Sequence, residues 1–215
     1  MKKIYILICF VTLSSIGFSQ NPCPDLPTVT YDGKVYNTVQ IGNQCWLKEN
    51  LDVGSMLDSL KNASDNGIIE EYCYRDDLMN CNIYGGLYQW DEAMQYVTDE
   101  SAKGICPNGW HIPTYEEFQT LKAAVNNVGN ELKANGQGIG DGIGTNTSGF
   151  SALLAGNRST NVNIYSLIGV GTYFWISTDY NSNVAPILLL SGDYSGIQLG
   201  LNPKKFGFSV RCIKD

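Results

Sequence analysis

Histidine is nearly absent from this chain of 215 residues, with His111 as its single example. Most hydrolytic mechanisms at neutral pH need an imidazole as general base or metal ligand. His111 lies between Trp110 and Ile112, large apolar residues that usually pack in a core. We therefore expect His111 to be structural, and the sequence predicts neither a Ser-His-Asp triad nor a zinc hydrolase.

Basic residues are also few, with 14 lysines and arginines against 21 aspartates and glutamates. The formal net charge is −7 at pH 7 with neutral histidine. An acidic surface repels phosphate backbones and anionic lipid headgroups. We therefore expect no nucleic-acid partner and no binding to anionic membrane surfaces.

Long apolar runs are missing, and none reaches the roughly 20 residues of a transmembrane helix. The first residues, MKKIYILICFVTLSSIGFSQ, combine two lysines, a short apolar run and small residues, which is typical of a secretory signal peptide. We predict a signal peptide over residues 1–19, an N-terminal lead over 20–27 and one domain over 28–215. The expected location is secreted or extracytoplasmic, in the periplasm or at the cell surface.

The seven cysteines include no CxxC pair, which favours disulfides over a metal centre. One of them, Cys9, lies in the predicted signal peptide, and an even number remains. An even number of cysteines in an exported domain indicates disulfide bonds, and we expect no metal and no cofactor. The cysteines expected to form bridges are Cys23, Cys45, Cys73, Cys81, Cys106 and Cys212.

Antiparallel strands are predicted near both ends of the domain. Residues 28–51 alternate apolar and polar side chains around Asp32-Gly33 and Gly42-Asn43, a pattern that predicts a three-stranded meander. Short apolar runs between turn residues predict further short strands; these runs are TYFWIST, APILLL and GFSVRCI.

Two helices are predicted between these strands. Apolar residues recur at helical spacing over 87–97, and the preceding residues 52–82 have no periodicity and are predicted to form a loop region. Thr114, with Glu117 three residues later, forms a capping box and predicts a helix that ends near Asn127. Helices combined with antiparallel strands predict an α+β fold.

Six motifs resemble, in order, those of the Fibrobacter succinogenes major paralogous domain, a family of exported bacterial proteins. They are VYNTVQIGNQCWLKENL, YGGLYQW, CPNGWHIPTYEEFQTL, TSGFSALLAGNR, YFWIST and GFSVRCIKD. The HIPTYEEF and GFSVRC motifs are also similar to elements of formylglycine-generating enzymes. The resemblance covers about residues 28–214 and implies a C-type-lectin-like mixed domain, with two main helices, small antiparallel sheets and long loops, stapled by disulfides. It implies no established activity.

Six cysteines allow many pairings, which counting alone does not separate. The resemblance supports a bridge that ties the N-terminal lead to the third strand of the meander. Two cysteines flank the short turn YRDDLMN and close it with the smallest loss of chain entropy, which leaves one at the capped helix and one in the last strand. The expected bridges are Cys23–Cys45, Cys73–Cys81 and Cys106–Cys212.

The ligand site is predicted in a glycine-rich segment at 129–149, which has no periodicity and is expected to be a long loop. Loops carry binding groups more often than the strands beneath them. We expect Asp141, Asn146 and nearby Tyr165 to supply polar and stacking contacts. The segment holds one incomplete copy of a GGxGxD-like repeat, which does not predict a calcium site.

Aromatic residues are numerous, with 4 tryptophans and 13 tyrosines. The tryptophans lie within the apolar motifs, so we expect them in the core. Tyr165, Tyr180 and Tyr194 lie near predicted turns, and rings exposed there would stack on the apolar face of a sugar.

Three functions are compatible with these features. The favoured one is an exported non-catalytic binding module that recognises a glycan or a cell-surface protein through long loops. The first alternative is a structural or adhesive envelope component without a small ligand. The second is a glycoside hydrolase, which needs two carboxyls about 5 to 10 Å apart, one of them in an apolar environment. The non-catalytic interpretation is favoured, and an enzymatic one stays an alternative.

Overall fold

A computed structural model describes residues 21–160 and 165–215. The predicted signal peptide, residues 1–19, lies outside the described residues. No helix in the described ranges is both long enough and apolar enough to cross a bilayer.

The described chain is a mixed α+β structure with two main helices, α1 and α3. The helices are α1 (Leu78–Tyr84), α2 (Trp90–Ala93), α3 (Tyr115–Ala124) and α4 (Gly129–Leu132), with 3-10 turns at Tyr74–Asp76 and Gly140–Gly142. The strands are β1 (Thr28–Tyr31), β2 (Lys34–Ile41), β3 (Gln44–Leu47), β4 (Ser55–Met56), β5 (Glu70–Glu71), β6 (Trp110–His111), β7 (Ala155–Arg158), β8 (Tyr165–Ile168), β9 (Gly171–Trp175), β10 (Val184–Ser191), β11 (Gln198–Pro203) and β12 (Ile213–Lys214).

The first five-stranded sheet has the order β1-β2-β3-β12-β6 and contains the predicted meander. Its first turn is formed by Asp32 and Gly33, which both have positive φ, as a tight two-residue hairpin turn requires. In the last strand, Ile213 lies opposite both Trp46 and His111. The C-terminal strand therefore joins the meander to the segment that carries the single histidine.

The second sheet has the order β11-β10-β9-β7-β8, and its strands β9 and β10 are the predicted apolar runs. An aromatic core connects it to the first sheet and to α3. In this core Trp46 contacts Phe118 and Phe150, with ring centroids 5.3 Å and 5.6 Å apart, and Phe150 contacts Phe174 at 5.8 Å. These buried rings hold both sheets and the capped helix around one core.

All four tryptophans are buried, as expected, with none more than 3% exposed. Two of the three tyrosines predicted to be accessible, Tyr180 and Tyr194, are exposed. The third, Tyr165, is half-buried.

The capping box at the start of α3 is confirmed. Thr114 Oγ1 accepts a hydrogen bond from the Glu117 backbone N–H at 3.1 Å, and the Glu117 carboxylate accepts one from the Thr114 N–H at 2.8 Å. These reciprocal bonds satisfy two N–H groups that an uncapped helix leaves without partners.

The helix predicted over 87–97 is wrong in extent, because α2 covers only Trp90–Ala93. Gln95 and Tyr96 have positive φ, which a right-handed helix does not allow, so the chain turns away there. At the other end, Leu87 forms a β-bridge with Tyr72 instead of a helical turn.

Helix α1 lies in the region predicted to be a loop. It begins after Asp77, whose carboxylate caps the Met79 N–H at 2.9 Å. Its apolar residues Leu78, Met79 and Ile83 are all more than half exposed, so the helix has no buried apolar face whose pattern would predict it from the sequence.

Three disulfides staple the fold: Cys23–Cys45, Cys73–Cys81 and Cys106–Cys212. These are the pairings expected from the sequence. Disulfides persist in oxidising compartments, so the three bridges indicate an extracytoplasmic environment.

Candidate ligand-binding cleft

A cleft of about 630 Å³ lies between the start of β2, the segment after β3, and helix α1. This volume is within the range of small-molecule sites, about 300 to 1,000 Å³. Ala134, inside the glycine-rich segment, and Ser151, just after it, complete its wall. The polar side chains around it are those of Lys34, Lys48, Glu49, Asn50, Asp52, Asn82 and Arg211.

Arg211 is the most deeply buried charged group that lines the cleft, and it is 1% exposed. Its Nε donates a hydrogen bond to Asn50 Oδ1 at 3.1 Å, Nη2 donates to the same oxygen, and Nη1 donates to the Phe150 carbonyl. The guanidinium carbon lies 4.4 Å from the centroid of the Phe150 ring. Burial lowers the pKa of Arg211 to about 9, and the negative charge of Glu49 opposes that shift.

Asn50 holds this guanidinium in place. Its Nδ2 donates hydrogen bonds to the Tyr84 carbonyl at 2.8 Å and to Ser209 Oγ at 3.2 Å. These bonds leave Oδ1 directed at Arg211, so the end of α1, the segment after β3 and the C-terminal segment meet at one point.

The rim of the cleft carries both signs of charge. Lys34 forms an ion pair with Asp52, and the Glu49 carboxylate accepts hydrogen bonds from the backbone N–H and the side-chain amide of Asn37, both at 2.8 Å. Three cations and two carboxylates line the cleft, which gives a formal charge of +1 in a chain whose formal charge is −7. The cleft is thus electropositive relative to the rest of the chain.

The chain matches the family model of the Fibrobacter succinogenes major domain over residues 39–214. It belongs to this family. Searches among curated proteins and among solved structures found no match. The matched range of the Fibrobacter succinogenes major domain includes Asn50 and Arg211, whereas Lys34 lies before it.

A buried carboxyl, Glu71, lies behind Asp52. Burial and the negative charge of Asp52 raise the pKa of Glu71 to about 8, although Tyr88 Oη lies 2.9 Å from the Glu71 carboxyl and Lys34 is near. Glu71 is therefore mostly protonated at neutral pH and hydrogen-bonds to Asp52.

This carboxyl pair has an unsuitable geometry for glycoside hydrolysis. Such enzymes hold their two carboxyls at least about 5 Å apart, whereas those of Glu71 and Asp52 are hydrogen-bonded to each other. Glu71 also does not line the cleft. The Sγ atoms of Cys73 and Cys81 lie close to Glu71, but both belong to a disulfide and are not thiolate ligands for a metal.

The residues predicted to bind a ligand lie outside the cleft. Asp141 is exposed in the 3-10 turn, and its carbonyl accepts a hydrogen bond from Asn130 at 2.8 Å. Asn146 bonds with Ser151, accepting from its backbone N–H at 2.9 Å, and thereby shapes the end of the loop. Their contact with a ligand stays a prediction.

Tyr165 lies in another part of the domain, on β8. Its ring centroid is 5.2 Å from that of Tyr74, and its hydroxyl donates a hydrogen bond to Asp76 at 2.8 Å. Tyr165 thus packs in the small cluster around Tyr72, and its role in stacking on a sugar also stays a prediction.

Lys133 is a fully buried cation inside the glycine-rich segment. Its ammonium donates hydrogen bonds to the carbonyls of Gly142, Ser191 and Tyr194, the last two at 2.7 Å and 2.9 Å. Three carbonyls that converge on one point suit a cation, and here the side chain itself supplies that cation. No sequence pattern predicts this burial, because a lysine in a glycine-rich loop normally lies in solvent.

His111 is buried between two carboxylates, as the structural interpretation requires. Its Nδ1 lies 2.7 Å from Asp215 Oδ1, and its Nε2 lies 3.0 Å from both Glu117 oxygens. Burial alone would lower the pKa of His111, but the bonds to Glu117 and Asp215 outweigh it and raise the pKa above 6.5.

Since the chain has a single histidine, proton NMR can follow His111 without ambiguity. We expect its pKa to lie above 6.5 and to fall in Asp215→Asn, with exposed Asp99→Asn as the control. Protonated His111 pairs with both carboxylates and so stabilises the fold. This stabilisation is complete below pH 6.5 and is lost as the pH rises through the folded-state pKa. A wild-type pKa at or below 6.5 would contradict the double ion pair.

Proposed function

We propose that this protein is an extracytoplasmic, non-catalytic binding module that holds a saccharide in the cleft. The observation that carries the proposal is a concave surface where amide, ammonium and carboxylate groups converge beside apolar side chains. Sugars offer hydroxyls to such polar groups and apolar ring faces to neighbouring side chains.

Helix α1 provides the side of the cleft best suited to a sugar. Asn82 is exposed, Tyr84 is half-exposed, and Ile83 and Val35 are more than half exposed at the rim. The amide would exchange hydrogen bonds with sugar hydroxyls, and the tyrosine ring would cover an apolar face.

We further infer a C-type-lectin-like fold, supported by the two main helices, the two five-stranded sheets and the long loops between disulfides. The three bridges support export, and we propose secretion or a cell-surface position as the final location.

A glycan array tests this function, run with and without calcium. We expect the double variant Asn82→Ala, Tyr84→Ala to lose affinity by about 10-fold or more, because it removes the hydrogen-bonding amide and the ring. The control is Asp141→Ala in the glycine-rich segment, whose exposed side chain lies outside the cleft and which should bind normally. The opposite result, with binding lost only in the control variant, would move the site to that segment.

A structural or adhesive role without a small ligand is the second candidate. The exposed apolar side chains of α1, Leu78, Met79 and Ile83, favour it because single exposed apolar residues are common but three on one short helix suit a protein partner. An array without any hit would support this candidate over the first.

A further inference from the structure

The buried guanidinium of Arg211 forms no ion pair with any carboxylate that the structure describes. Among residues 21–160 and 165–215, the ion pairs involve Lys34, His111 and Lys204, and none involves Arg211. Buried charges are normally paired, because removing a charge from water costs several kcal/mol unless an opposite charge compensates. In the described part of the chain, Arg211 receives only partial compensation, from the negative charge of Glu49, which forms no ion pair with it.

The hydrogen bonds of Arg211 are also incomplete. A guanidinium carries five N–H groups, and three of them donate to Asn50 and to the Phe150 carbonyl. Within the described ranges, the other two N–H groups have no acceptor, and they belong to a side chain that lines the cleft. A carboxylate or sulfate matches the planar fork of a guanidinium and would use such donors.

Lysines extend this positive character towards the rim. Lys34 is already paired with Asp52, but no ion pair in the described part of the chain involves Lys48, which is half-buried in the cleft wall. Lys48 therefore offers a second cation to a ligand that reaches Arg211. These cations are concentrated in one cleft of an otherwise acidic protein.

We propose that the ligand of this cleft is an acidic saccharide whose carboxylate or sulfate pairs with Arg211, with Lys48 as the second contact. This inference rests on the proposed function and specifies its ligand class. The anionic group forms the direct ion pair that Arg211 lacks among the described residues, and the sugar ring lies against the α1 side of the cleft.

The test uses a glycan array with uronate-containing, sialylated and sulfated saccharides, each beside its neutral parent. We expect the acidic member of a pair to bind at least about 10-fold more tightly than its parent. The difference should shrink with added sodium chloride, because salt screens the charges at the rim. Calorimetry with the best-binding pair then gives the affinities of the variants.

Two cleft variants and one control locate the anion. Lys48→Gln should lower the affinity for the acidic saccharide by about 2- to 5-fold, and Arg211→Lys, which keeps the charge but loses the fork, by about 10-fold or more. The exposed Lys103→Gln removes the same charge elsewhere and should have no effect. Circular dichroism checks the fold, and Lys48→Gln keeps the test valid if Arg211→Lys unfolds.

Three results would overturn the inference. Equal binding of a neutral parent, lost in Asn82→Ala, Tyr84→Ala, would remove the acidic specificity and leave the proposed function standing. Acidic binding that neither Lys48→Gln nor Arg211→Lys weakens would place the anion elsewhere. The absence of binding to every saccharide would overturn both the inference and the proposed function.

Discussion

Replacing Cys106 and Cys212 together with alanine should lower the free energy of unfolding by about 5 kcal/mol. The bridge joins residues 106 positions apart, and the chain-entropy model assigns about that much lost freedom of the unfolded chain to such a loop. The Cys73–Cys81 bridge spans only 8 positions, and its removal should cost about 2.5 kcal/mol by the same model.

Urea unfolding of the two double alanine variants, in oxidising buffer, measures this difference. The short-loop variant is the matched control, since it also removes two buried sulfurs. Equal destabilisation of the two variants would contradict the loop-length account. Cys212 follows Arg211 directly, so losing the long bridge should also loosen the wall of the cleft.

Local patterns predicted the elements that depend on near neighbours in the chain. The Asp32-Gly33 turn and the capping box of Thr114 and Glu117 each involve residues at most three apart, and both are present. The buried tryptophans followed from residue type alone, because large apolar side chains gain most from leaving water.

The cleft could not be predicted in the same way, because its walls come from distant parts of the chain. Asn50 and Arg211 are 161 positions apart, yet they share hydrogen bonds at its wall. Arg211 and Lys133 are buried cations, whereas sequence statistics place charged side chains in solvent. Burial of such groups becomes evident only when their partners are known.

The buried carboxyl of Glu71 should make the free energy of unfolding strongly dependent on pH. Its pKa is about 8 in the folded protein, against 4.5 for the unperturbed group, since burial and the charge of Asp52 disfavour ionisation. Between these two values the folded state keeps a proton that the unfolded state has lost. The stability that this proton provides is complete below pH 4.5 and is lost as the pH rises through 8.

We expect Glu71→Gln to reveal this linkage, because glutamine is neutral at every pH and keeps a donor for Asp52 and an acceptor for Tyr88. Between pH 4.5 and 8 the free energy of unfolding of the wild type should fall relative to the variant by roughly 1.4 kcal/mol for each pH unit, or at most about 5 kcal/mol in total. The variant should therefore be the more stable protein above pH 8.

Urea unfolding of the wild type and Glu71→Gln at half-unit steps from pH 4.5 to 9 measures the difference between their free energies of unfolding. Groups that titrate in the same way in both proteins cancel in this difference. The control is Glu116→Gln, which removes an exposed carboxylate from the first turn of α3 and should leave the slope of the wild type unchanged. A difference in the free energy of unfolding between wild type and Glu71→Gln that stays constant over this range would contradict a protonated Glu71.

Because Asp52 both hydrogen-bonds to Glu71 and lines the cleft, ionisation of Glu71 above pH 8 would place a second negative charge behind the rim. Binding of an acidic saccharide should then weaken as the pH rises through 8 in the wild type but not in Glu71→Gln, whereas loss of the Arg211 charge near pH 9 should weaken binding in both proteins.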